Sequence, residues 1–138
     1  MSNLITGTQL QRDDLTGENT IEELVRLGRW ACIVGYRSLT DEVEKCEHED
    51  RERMLKPVFR ELGYQIELYK YQILRMASRG YVDPGAPAHL IPIRIEKAPG
   101  AVYDTTTNQV KLDVGQRVYF EDPIIVESGM DFLLVVAR

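Results

Sequence analysis

The chain has 138 residues, 43% hydrophobic and 28% charged, with a net charge of −5. That size suits one domain with a real core, and the acidic balance argues against a generic DNA-binding domain, which needs a concentrated positive field. Two cysteines make no disulfide framework, and no stretch approaches the ~20 apolar residues of a membrane span.

Residues 1–19 are polar and read as a flexible N-terminal arm that orders against a partner. They carry no basic or apolar targeting pattern, which fits cytoplasmic synthesis. Thr20 and Glu23 have capping-box spacing and open a first helix. Ile21, Leu24, Val25, Leu27, Trp30, Ala31 and Val34 give it a broad apolar face, on which Cys32 reads as a small inert hydrophobe. The helical signal runs on to about His48. Next comes an acidic elbow, Asp41, Glu42, Glu44, Glu47, Glu49 and Asp50, followed at once by Arg51, Arg53 and Lys56. These nine residues are either a solvated turn with local ion pairs or a candidate interface. In the second case the acidic elbow of one subunit meets the basic run of the next.

Leu55, Phe59, Leu62, Ile66, Tyr69, Ile73 and Met76 then repeat in alternating steps of four and three. This heptad stripe predicts a second, long helix with Pro57 in its first turn and Gly80 closing it. Its apolar seam is the candidate core contact, made with the first helix or between chains.

Asp83, Pro84, Gly85 and Pro87 mark a hinge. Ile91, Ile93 and Ile95 alternate in a strand, with Pro92 at a sheet edge or strand start. Residues 101–104 and 109–114 flank a loop at 105–108 as one hairpin. Residues 117–120 make a further strand, and residues 124–126 and 132–137 read as a second hairpin. Residues 132–136 are apolar on both faces and require a central, covered strand. The predicted fold is α+β. An N-terminal helical hairpin at 20–82 packs with a C-terminal antiparallel β module at 83–138, as a meander, sandwich or small barrel sharing one core.

No motif for chemistry appears. His48 and His89 are the only histidines, and Cys46 with His48 lacks a second ligand pair for zinc. Ser38, Ser78 and Ser128 sit in no nucleophile elbow, and no glycine-rich phosphate loop follows a strand. No catalytic, metal or cofactor-binding residue is assigned, and no cofactor is expected. An enzyme would need a deep pocket with converging Tyr, Arg and carboxylate groups. Tyr64, Tyr69, Tyr71 and Tyr81 interleave with Lys70, Arg75 and Arg79, a pattern suited to stacking on a nucleic-acid strand. Tyr69 also belongs to the core stripe, and such tyrosines equally serve protein contacts.

A helical hairpin followed by a hairpin-rich β module resembles the small head–tail connector (neck, adaptor) proteins of tailed bacteriophages. The resemblance is architectural, covers most of the chain and carries no sequence motif. It implies a ring docked on the portal, with DNA passing through its centre, and a final place in the virion. The expected function is a non-enzymatic structural assembly subunit. Its partners would be copies of itself and other structural proteins, with DNA nearby non-specifically and no membrane. The alternative is a small cytosolic homo-oligomeric binding or regulatory module.

Overall fold

The computed structural model describes residues 10–104 and 108–138. Among them the elements run β1 (Gln11–Asp14), α1 (Thr20–Ile33), β2 (Tyr36–Ser38), β3 (Val43–Cys46), α2 (Arg51–Leu62) and β4 (Tyr69–Met76). They continue β5 (Gly80–Val82), β6 (Ala88–Ile95), β7 (Gly100–Tyr103), β8 (Gln109–Leu112), β9 (Gln116–Phe120), β10 (Ile124–Val126) and β11 (Met130–Ala137). A seven-stranded antiparallel sheet has the order β1-β9-β6-β11-β4-β3-β2, and a four-stranded sheet has the order β5-β10-β7-β8. The two helices cover one face of the larger sheet and the smaller sheet covers the other. The result is three layers with two cores.

The strand β11 shows why. Its continuous apolar run alternates between the cores. Leu133 and Val135 face the helices, among Leu24, Leu27, Leu55 and Phe59. Phe132 and Leu134 face the second sheet, among Val102, Leu112, Val118 and Val126. A strand covered on both faces needs no polar side, which is what residues 132–136 require.

The predicted helical hairpin does not exist; the chain is mainly β, and its helices sit among strands. Three physical reasons account for the correction. First, α1 stops at Ile33, and residues expected to prolong it form the β2–β3 hairpin, paired Tyr36 with Cys46 and Ser38 with Glu44. Second, α2 ends at Leu62 because Gly63 takes φ 81°, the left-handed closure that glycine adopts without a Cβ penalty. The Gly63 N–H donates to the Arg60 carbonyl and the Tyr64 N–H to the Phe59 carbonyl. Third, the heptad stripe is split. Leu55, Phe59 and Leu62 lie on α2, Ile66 in a 3₁₀ turn at Ile66–Leu68, and Tyr69, Ile73 and Met76 on β4. On a strand the step of four from Tyr69 to Ile73 keeps one face, and the step of three to Met76 changes it. Tyr69 and Ile73 therefore pack under the helices while Met76 enters the other core.

Smaller corrections follow. Residues 1–9 of the expected arm lie outside the described residues, but Gln11–Asp14 form β1, paired with β9 through Gln11–Tyr119 to Asp14–Gln116. The helix α2 starts at Arg51, so Pro57 falls inside it. Thr20 is fully buried and lies inside the helix; Asn19 holds the N-cap position without a side-chain cap bond, and its N–H donates to Glu61 Oε1 at 3.0 Å. Pro92 marks no outer strand. It sits inside β6, beyond the Ala88–Leu90 segment that pairs with β9 and opposite the bulge at Asp131/Phe132. Residues 124–126 and 132–137 make no hairpin either, because β10 and β11 belong to different sheets. The β7–β8 hairpin forms as read, with residues 105–107 of its loop outside the described residues.

Candidate interaction site

The half of β6 that β9 leaves unpaired is covered by α1. The covering is close. A Cβ built on Gly28 would lie 2.1 Å from the Ile93 carbonyl oxygen, so only glycine lets the helix come this near. The inner face of α1, Leu24, Leu27 and Ala31, is fully buried. Its outer flank is not. Val25, Gly28, Arg29, Cys32 and Ile33 face Ile93 and Arg94 across a groove of about 480 Å³. Ile33 is 83% exposed and Ile21, at the other end of the helix, 55%. A floor of aliphatic carbon thus stands open to water, rimmed by two guanidinium groups.

The rim is anchored from below. Asp131 is 1% exposed and accepts two hydrogen bonds from Arg75, at 2.8 Å from Nε and 3.1 Å from Nη2. A longer one comes from Arg94 Nη1 at 3.5 Å. Arg94 also lies 3.7 Å from Glu96. Arg75 donates further to the Ala31 carbonyl at 3.4 Å, in the last turn of α1, where a cation complements the helix dipole. Its guanidinium stacks 4.0 Å above the Tyr36 ring. Hydrogen bonding to Asp131 raises the Arg75 pKa, and burial, followed by the Asp131 charge, raises that of the Tyr36 phenol. The Tyr36 hydroxyl is buried with no hydrogen-bond partner among the described residues. Chemically the cluster is a lock. One buried carboxylate ties two strands and the end of α1 together and fixes the direction of Arg94. Arg29, by contrast, is exposed and forms no ion pair among the described residues.

A second polar cluster lies near the other end of the same sheet face. Tyr64 Oη is 3.1 Å from His89 Nδ1 and accepts from Arg117 Nη1 at 3.0 Å, and Arg117 Nε donates to Asp13 at 3.0 Å. Burial, then the Arg117 charge, lowers the His89 pKa to about 4, so the ring is neutral at pH 7. This chain links β1, β9, β6 and the end of α2. Beside it, Asp13, Asp14, Glu61 and Arg117 line a small polar pocket of about 330 Å³.

The nine candidate interface residues do not form one helical elbow. Asp41 and Glu42 lie in the β2–β3 turn, Glu44 on β3, Glu47 and Glu49 in the following loop, and Asp50 at the start of α2. Arg51, Arg53 and Lys56 lie on α2. Local pairs use some of them: Arg37–Glu47 at 2.8 Å and Arg53–Asp50 at 3.2 Å. Of the tyrosines, Tyr64, Tyr69 and Tyr71 join an aromatic cluster with Phe59 and His89, while Tyr81 stands exposed on β5. Cys32, expected on the apolar face of the first helix, is exposed in the groove, and Cys46 is fully buried in the helix-side core.

The groove residues were missed by sequence reasoning. The available signal was the width of the apolar face of α1. Ile21 and Val25 extend it beyond the Leu24–Leu27–Ala31 stripe that one sheet can bury. Among the described residues no helix is long and apolar enough to cross a membrane. Comparison with protein family models, with curated proteins and with solved structures finds no match.

Proposed function

We propose that the chain is a non-enzymatic structural subunit that works by assembling with copies of itself. A connecting part of a tailed-phage virion, such as the head–tail neck, is the setting this suits. The helical hairpin on which that resemblance drew is absent, and so is one of its two expected β hairpins; the setting follows from the assembly reading alone. The observation that carries the assembly reading is the open groove between α1 and β6. Apolar surface held in water is stabilised by burial at about 25 cal/mol per Å². A contiguous apolar patch rimmed by polar groups is the usual form of an interaction surface. Arg29 at the rim, without an ion pair among the described residues, adds a preference for an acidic neighbour.

The test is the native mass of the full chain, by light scattering, at low and high salt. The expected result is a discrete species above the mass of one chain that weakens as salt screens the rim. A single-chain mass at every soluble concentration and both salts overturns self-assembly and moves the groove to a foreign partner, the binding-module reading.

A further inference from the structure

We propose that the groove is filled by the tip of the β2–β3 hairpin of a second copy, in a head-to-tail contact. This names the partner of the assembly reading above and rests on it.

The tip has the matching chemistry. Leu39 projects from it, 45% exposed, with exposed Asp41 two positions on. An apolar knob beside a carboxylate meets an apolar floor beside guanidinium groups. Arg29 and Asp41 are both free of ion pairs among the described residues, so neither must break a bond within its own subunit to pair across the contact.

The tip is also rigid before it binds. The Val43 carbonyl accepts from the Leu39 N–H at 2.8 Å and the Thr40 N–H at 3.2 Å. The Thr40 hydroxyl accepts from the Glu42 and Val43 N–H groups at 3.2 and 3.1 Å. The Glu42 carbonyl accepts from the Ala77 N–H at 2.8 Å, bolting the turn to the end of β4. A preformed knob loses little conformational entropy on docking.

The groove lies at β6 and the knob on β2, separated in the sheet by β11, β4 and β3. Bolted to the end of β4, the tip does not line the groove of its own chain. Knob and groove are different patches, so each copy offers one of each. Such heterologous contacts propagate into a ring or a filament rather than close as a dimer.

The experiment is light scattering on the full chain with Arg29→Glu and Asp41→Arg. Both sites are exposed, and circular dichroism checks that each variant keeps the wild-type fold. Wild type is expected to assemble beyond two copies. Each variant alone places like charges at the contact and is expected to weaken association about tenfold or more. An equimolar mixture of the two variants is expected to restore the assembled mass. In the mixture the altered hairpin meets the altered groove, and the unaltered hairpin meets the unaltered groove. Leu39→Ala weakens assembly without changing charge. If both charge variants assemble like wild type, or mixing restores nothing, the pairing is overturned while self-assembly stands. A wild-type mass that stops at two copies overturns the head-to-tail geometry. A wild-type monomer removes both proposals.

Discussion

Replacing Gly28 with alanine is expected to destabilise the protein, although alanine is the better helix former by about 1 kcal/mol. The new Cβ would meet the Ile93 carbonyl oxygen at 2.1 Å and its carbon at 2.9 Å. Both are backbone atoms of a strand paired to β11, so the strand cannot yield as a flexible side chain does. Reaching the near edge of ordinary contact, about 3.4 Å, means lifting α1 by about 1.3 Å. A gap of that size forfeits about half or more of the dispersion at each contact it opens. Leu24, Leu27 and Ala31, all fully buried, are the side chains that lose it. Overpacking of this kind costs about 1–3 kcal/mol, occasionally more. Backbone atoms that cannot yield put this case at the upper end, about 2–3 kcal/mol, and offsetting the helix gain leaves a net loss of about 1–2 kcal/mol. Urea unfolding followed by circular dichroism reads this as a midpoint lowered by about 0.5–1 M, at a slope near 2 kcal/mol/M. Gly35, with nothing within 4 Å of its built Cβ, is the control. An unchanged or raised midpoint for Gly28→Ala would refute the close approach of α1 to β6, and with it the shape of the groove.

Two further perturbations test the polar clusters. His89 is held near pKa 4 against 6.5 in the unfolded chain, so the unfolded state takes up its proton first as pH falls. The contribution is present above about pH 6.5 and is lost progressively down to about pH 4. The whole shift corresponds to about 3 kcal/mol, which solvent reaching the ring reduces to about 1–2 kcal/mol. Urea midpoints at pH 7 and pH 4.5 should differ more for wild type than for His89→Gln, and equal slopes would contradict a neutral buried ring. Tyr36→Phe removes a buried hydroxyl with no partner while keeping the ring under Arg75. Stability should be unchanged or raised by up to about 1 kcal/mol, and a drop of more than about 1 kcal/mol in the same assay would reveal a bond the hydroxyl makes.

What local pattern can carry, the sequence carried. The inward set of α1, Leu24, Leu27 and Ala31, follows from helical spacing; its start at Thr20 was read from a capping box that does not form, since Asn19 holds the N-cap position. The two-sided apolar run of β11 demanded a covered central strand, and β7 and β8 announced their hairpin. These features depend on neighbours a few residues apart. The stripe from Leu55 to Met76 was different. Its steps of four and three fit a helix throughout, but they fit equally a helix, a glycine stop and a strand. Gly63 and the Tyr69–Tyr71–Ile73 alternation were the only local signs of the break. Strand preference is decided by cross-strand and same-face partners, and those of β4 lie on β3 and β11, far away in sequence. The charge elbow fell apart for the same reason, when the β2–β3 hairpin separated its acids from the bases of α2.

The groove was still less legible. Sequence spacing marks which residues of α1 are apolar, but not which flank stays uncovered once the sheet has chosen its side. That choice came from the close seat of Gly28 on Ile93 and from Asp131 fixing Arg75 and Arg94 across three strands. Composition and periodicity thus determined a chain able to bury a core and several of its elements. Only the tertiary structure decided the layering, the lock around Asp131 and the open surface, because each depends on pairings between residues that the chain brings together from a distance.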